Sequence, residues 1–127
     1  MPEYRDLMTA FRDRTALSSE AVLAELDAAL ALPDAAGTVA HELLRVRLDT
    51  LLRMDAREEA LALAETLAEA PGPRQLDAHR IAARLRLSRP SGPDCAGALP
   101  HLRALAGADR LEADAPWLNT CEKESQP

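Results

Sequence analysis

Apolar residues return along this chain every three or four positions, and clusters of Pro, Gly and Ser cut the rhythm into helix-length pieces. The spacing of Tyr4, Leu7, Met8 and Phe11 predicts a first helix over residues 3–14 with these four on one face. A second begins after Ser18-Ser19, where a hydroxyl caps the open N–H groups and Glu20 meets the positive helix end. It stops at Leu32, because Pro33 disfavours helix in the residue before it, and Leu23, Leu26 and Leu30 form its stripe. A third follows Gly37-Thr38 and reaches Arg53. Leu44, Leu48 and Leu51 lie on its inner side, widened by Leu43 and Val46. Glu42, Arg45, Asp49 and Arg53 lie on the other side, with Asp49 and Arg53 an i,i+4 pair.

The fourth predicted helix opens at Asp55, with Glu58 three residues on as in a capping box. It turns Ala60, Leu63, Ala64 and Leu67 inward and stops at Pro71-Gly72-Pro73. The fifth, over Arg74 to Leu87, has two apolar faces: Ala78, Ile81, Ala82 and Leu85 on one, Leu76, Ala83 and Leu87 on the other. Two apolar faces require packing on both sides. Ser88-Arg89-Pro90-Ser91-Gly92-Pro93 is the clearest break in the chain. The sixth helix runs over Asp94 to Ala106, weakened by Gly97 and by Pro100, which must sit in its first turn or kink it. Asp109-Arg110-Leu111-Glu112 repeats the capping signal and starts a short terminal helix that Pro116 limits, and Glu122 to Pro127 reads as a frayed tail.

Ala21, Ala60 and Ala98 each open an Ala/Leu-rich helix and stand 39 and 38 residues apart. A period in this range marks stacked helical hairpins. Paired in order, the helices make hairpins over 3–33, 38–71 and 74–107, followed by a short cap and flexible tail over 108–127. The second hairpin resembles a tetratricopeptide unit: the run from Leu48 to Leu61 matches that family in the spacing of core residues, tight turn and small Ala60. Ala21, Ala28 and Pro33 are similar to the family's pattern of two small residues followed by proline. The departures are Leu48 where the family has a small residue, Asp55 where it has glycine, a missing tryptophan, and a longer repeat. The resemblance implies a concave groove lined by the first helix of each hairpin. By the matched spacing Glu42, Arg45 and Asp49 face that groove, with Leu52 as an apolar neighbour and Arg53 at the end of the stripe. The alternative is an ordinary solvated helix face.

Composition narrows the rest. With 127 residues, 47% of them hydrophobic and almost all of those Ala or Leu, one all-α domain over 1–127 is expected, with about six helices. A net charge of −6 argues against a dedicated nucleic-acid surface, which needs clustered Lys and Arg, and against anionic membranes. No apolar run approaches the roughly 18 to 20 residues that span a bilayer, and the start lacks a secretory pattern, so the cytoplasm is expected. There Cys95 and Cys121, isolated and without metal-like spacing, are expected to be free thiols.

No phosphate loop, nucleophile elbow, zinc-ligand cluster or catalytic carboxylate pair is written in the chain. His41, His79 and His101 fall on three different helices without a second ligand at i+4. Arg74, Arg80, Arg84, Arg86 and Arg89 read as a solvated or salt-bridged set ahead of a phosphate site. The expectation is therefore a non-enzymatic protein-interaction module without cofactor, metal or catalytic residues. It would be an adaptor or chaperone-like protein binding a protein or peptide partner through Glu42, Arg45, Asp49, Leu52 and Arg53. The alternatives are an assembly module that forms a homodimer, and an acidic inhibitor or immunity-type regulator that acts by occlusion.

Overall fold

The fold is all-α. In a computed structural model that describes residues 18–33 and 37–125, the described residues form six α-helices and one 3-10 turn, with no strand. The helices are α1 (Ser19–Leu30), α2 (Gly37–Arg53), α3 (Arg57–Glu69), α4 (Gln75–Leu87), α5 (Cys95–Gly107) and α6 (Ala115–Glu124), with the 3-10 turn over Glu112–Asp114. The helix predicted over 3–14 lies outside the described residues. The chain divides into two compact units, 1–60 and 61–127, and the division falls inside α3.

In the first unit α1 packs on α2. Ser18 caps α1 as expected, its Oγ accepting from the Ala21 N–H at 3.2 Å. Leu26 and Ala29 of α1 and Leu43 of α2 form the buried centre, flanked by half-buried Val22, Leu23, Leu30, Val39 and Val46. Asp27 and Arg47 join the two helices at the rim. Thr50 is buried because its hydroxyl donates back to the Val46 carbonyl at 2.9 Å, leaving no unpaired polar group in the apolar stripe.

The end of α2 corrects one expectation. Asp55 does not open α3; it closes α2. Its φ is +57°, the Asp55 N–H donates to Leu52 at 3.1 Å, and the Ala56 N–H donates to Leu51 at 3.0 Å. This is a left-handed cap in which paired bonds absorb the last carbonyls, a place where glycine is usual and aspartate is tolerated. Asp109 repeats the device after α5, with φ +57° and an Arg110 N–H to Leu105 bond of 2.8 Å.

In the second unit α4 packs extensively on α5, and α5 on α6. As the two apolar faces of α4 require, Ala78, Ala82 and Leu85 are buried, and so are Ala83 and Leu87. Ala83, Leu87, Cys95, Ala98, Leu99, Leu102 and Cys121 form one core, with Leu111 and Leu118 packed against it. Asp94 caps α5, accepting from the Gly97 N–H at 3.0 Å. The helix continues through Pro100, which is exposed, so the hydrogen bond it cannot donate is lost on the solvent side. Pro116 does not limit the terminal helix. It stands in the first turn of α6, where a missing N–H costs nothing, and the helix then runs through Glu122 to Glu124.

Candidate functional site

The predicted stripe keeps its place on α2. Glu42, Arg45, Asp49 and Leu52 are partly buried and Arg53 is exposed, while Leu43, Leu48 and Leu51 on the other side are fully or nearly buried. Asp49 pairs with Arg45, one turn before it, rather than with Arg53: Arg45 Nη1 lies 2.6 Å from Asp49 Oδ1. The Arg45 side chain is only 20% exposed and its head meets the carboxylate. The stripe is thus an ordered acid–base pair beside Leu52 rather than a row of loose charges.

The arginines of α4 form ion pairs, as the salt-bridged reading expected. Arg80 and Arg84 converge on Asp114, which is buried at the start of α6. Arg80 Nε lies 3.2 Å from Oδ2, Arg84 Nε 3.1 Å from Oδ1 and Arg84 Nη2 3.2 Å from Oδ2. Arg80 also donates to the Arg110 carbonyl. Two guanidinium groups on one carboxylate fasten the chain after α5 to α4 by charge-assisted bonds.

Arg86 works on the other side of the same helix. Its Nε donates to Glu65 Oε1 at 2.8 Å and its Nη1 to Asp94 Oδ2 at 2.8 Å, with Arg89 Nη1 3.4 Å from the same oxygen. The Gly97 N–H bond, with help from Arg86, holds the Asp94 carboxyl below its usual range. A Cβ at Gly97 would meet Arg86 Nη1 and Asp94 Oδ2, so a side chain there would push this ion pair aside.

The chain of polar groups continues through Glu65 to two histidines. His101, buried on α5, lies with Nε2 2.7 Å from Glu65 Oε2, and its Nδ1 meets His79 Nδ1 of α4 at 2.8 Å. A bond between two ring nitrogens needs one N–H and one bare nitrogen, so the contact holds one proton and is broken by two. Burial, and then the neighbouring His101, lower the His79 pKa below 6.5, opposed in part by Glu65. Among the described residues no three His, Cys, Asp or Glu side chains are grouped so as to hold a metal ion.

Cys95 and Cys121, expected as free thiols, are instead joined in a disulfide across 26 positions, with Cα atoms 5.0 Å apart. The turn after α5 brings α6 back past the start of α5, a meeting that two isolated cysteines do not announce. Pro93, Asp94, Cys95, Ala96, Cys121, Glu124 and Ser125 line a cleft of about 310 Å³ beside the bond. No helix of the described residues is long and apolar enough to cross a membrane.

No family, curated protein or solved structure matches this chain. The reading of function therefore rests on its own geometry. Sequence reasoning missed three features: the histidine pair, the Asp114 clamp and the disulfide. Each joins residues that stand 22 to 34 positions apart and touch only through helix packing.

Proposed function

We propose that the protein is a non-enzymatic interaction module, an adaptor or chaperone-like protein of tetratricopeptide-like hairpins. It holds a segment of a protein partner along the α2 face that carries Glu42, Arg45, Asp49, Leu52 and Arg53. The observation that supports this most is the ordered Arg45–Asp49 pair with Leu52 one turn further on, on a helix whose other side is anchored by Leu43, Leu48 and Leu51. A prearranged pair next to an apolar side chain orients a partner and buries apolar surface while losing little side-chain freedom.

A cytoplasmic location belongs to the same proposal, on one condition. Disulfides in reducing compartments are usually transient or redox-sensing, so Cys95–Cys121 would have to open and close there. A second reading, assembly through a second copy, is favoured by Trp117, a large apolar side chain left 37% exposed on α6; aromatic side chains of this kind anchor interfaces.

Affinity capture from the source cells with the wild type and Arg53→Glu, followed by calorimetry on the reconstituted complex, tests the α2 face. Arg53 is exposed, so the variant folds unchanged, and a loss of tenfold or more in Kd is expected. Equal Kd values would remove α2 from the interface. A dimer that dissociates on dilution and is lost in Trp117→Ser would establish the assembly reading instead.

A further inference from the structure

We propose that Cys95–Cys121 is a redox-active disulfide that exchanges with dithiols through the cleft beside it, and that its reduction unlatches the second half of α6 from α5. The inference stands apart from the α2 face and uses none of its residues.

Three observations carry it. Both cysteines line the 310 Å³ cleft, so the bond stands at the wall of an open depression with Glu124 and Ser125 at the end of α6. Cys95 is the first residue of α5, where the unpaired N–H groups and the positive helix end stabilise a thiolate. The carboxylate next to it, Asp94, is already matched by Arg86 and Arg89. Finally, α6 is fastened to the second unit at separate points along its length. The Asp114 clamp holds its start, Leu118 packs on the core in the middle, and the disulfide holds the turn that ends at Glu124.

The chemistry balances with a dithiol as reductant. One thiolate of the dithiol attacks Cys95 Sγ, since Cys95 is the less completely buried residue of the two, and the S–S bond breaks with Cys121 leaving as a thiolate that takes up a proton. The second thiolate of the dithiol then attacks the mixed disulfide, and Cys95 leaves as the thiolate that the α5 N-terminus stabilises. Two electrons pass to the protein, both cysteines end as thiols or thiolate, and the dithiol ends as a cyclic disulfide. With the covalent tie gone, α6 is held by Leu118, the Asp114 clamp and the solvent-exposed Arg103–Glu122 pair, 3.9 Å apart. The turn around Cys121 swings out about Asp114 and uncovers the apolar surface of Ala98, Leu99 and Leu102. The bond ties that turn to folded α5, so its loss lets the turn open without unfolding α5.

The test reduces the native protein with dithiothreitol and follows thiol release by alkylation and mass. A disulfide reached through the cleft is reduced at a rate proportional to dithiol and indifferent to urea below the unfolding transition. Amide exchange in residues 119–124 should then rise by about tenfold or more in the reduced protein and in Cys121→Ser, while α4 and the middle of α5 stay protected. Reduction that waits for urea would overturn the proposal, as would α6 exchange equal in both forms, or loss of protection throughout the second unit on reduction.

Discussion

Replacing Asp114 with alanine should release the start of α6 and lower the stability of the second unit by about 1.5 to 3 kcal/mol. The magnitude follows from how unequally the three partners are buried. The Asp114 side chain is 8% exposed and receives three charge-assisted bonds between 3.1 and 3.2 Å. A fully buried pair broken on one side costs about 3 to 5 kcal/mol, and an exposed one under about 1. Arg80, 17% exposed, loses its buried carboxylate and is left with the Arg110 carbonyl and the more distant, exposed Glu112 at 3.8 Å; Arg84, 57% exposed, rehydrates freely. Most of the loss therefore comes through Arg80. Arg84→Ala should cost under about 1 kcal/mol, and a double-mutant cycle of Asp114→Ala with Arg80→Ala should show the larger coupling. Trp117, the single tryptophan of the chain, stands three residues after Asp114 and reports the environment of α6 by fluorescence. Urea titrations read by Trp117 and by helical circular dichroism should both shift in Asp114→Ala, with the tryptophan signal moving first. A change under about 0.5 kcal/mol, or equal effects of Arg80→Ala and Arg84→Ala, would refute this account of the clamp.

Two other perturbations follow from the caps and the histidine pair. Asp55→Gly and Asp109→Gly should each stabilise by about 0.5 to 1 kcal/mol, because glycine adopts the left-handed φ without a Cβ penalty, while the alanine variants should destabilise. Thermal melts of the four variants check this; a stabilising Asp55→Ala would contradict it. Because His79 has a folded pKa below 6.5, the unfolded chain binds its proton more readily. Its contribution to stability is full above pH 6.5 and is lost as pH falls through the lowered folded value. The melting temperature should therefore decline from neutral to mildly acidic pH, and His79→Gln should flatten that decline relative to the wild type.

Helix positions and faces were legible because they depend on local spacing. The Ser18 cap, the end of α2 at Arg53 and the two buried sides of α4 all follow from a period of 3.6 and from capping chemistry. Where one residue type serves two purposes, the local reading went wrong. Aspartate suits both a helix start and a left-handed end, and at Asp55 the bonds from Asp55 and Ala56 back to α2 decide for the end. Proline both stops helices and opens them, and Pro116 opens α6. The α2 stripe was legible as a face, but its pairing was not: Arg45 and Arg53 both stand four positions from Asp49, and Asp49 turns back to Arg45. The contacts His79–His101 and Arg84–Asp114 depend on which helices pack, and a single chain read in order carries no signal for that.

The disulfide also changes what a cut in this chain means. Residues 95 to 121 form a covalent ring that contains all of α5, the turn at Asp109 and most of α6. Arg110 is exposed on that ring, in the connection between the two helices. A trypsin-like protease that cleaves after Arg110 opens the ring without releasing a fragment. The nicked protein keeps its mass, apart from one added water, until a thiol reductant separates the pieces. Nicking and loss of the C-terminal segment are therefore separate events for this molecule, and a gel run without reductant cannot tell the nicked chain from the intact one.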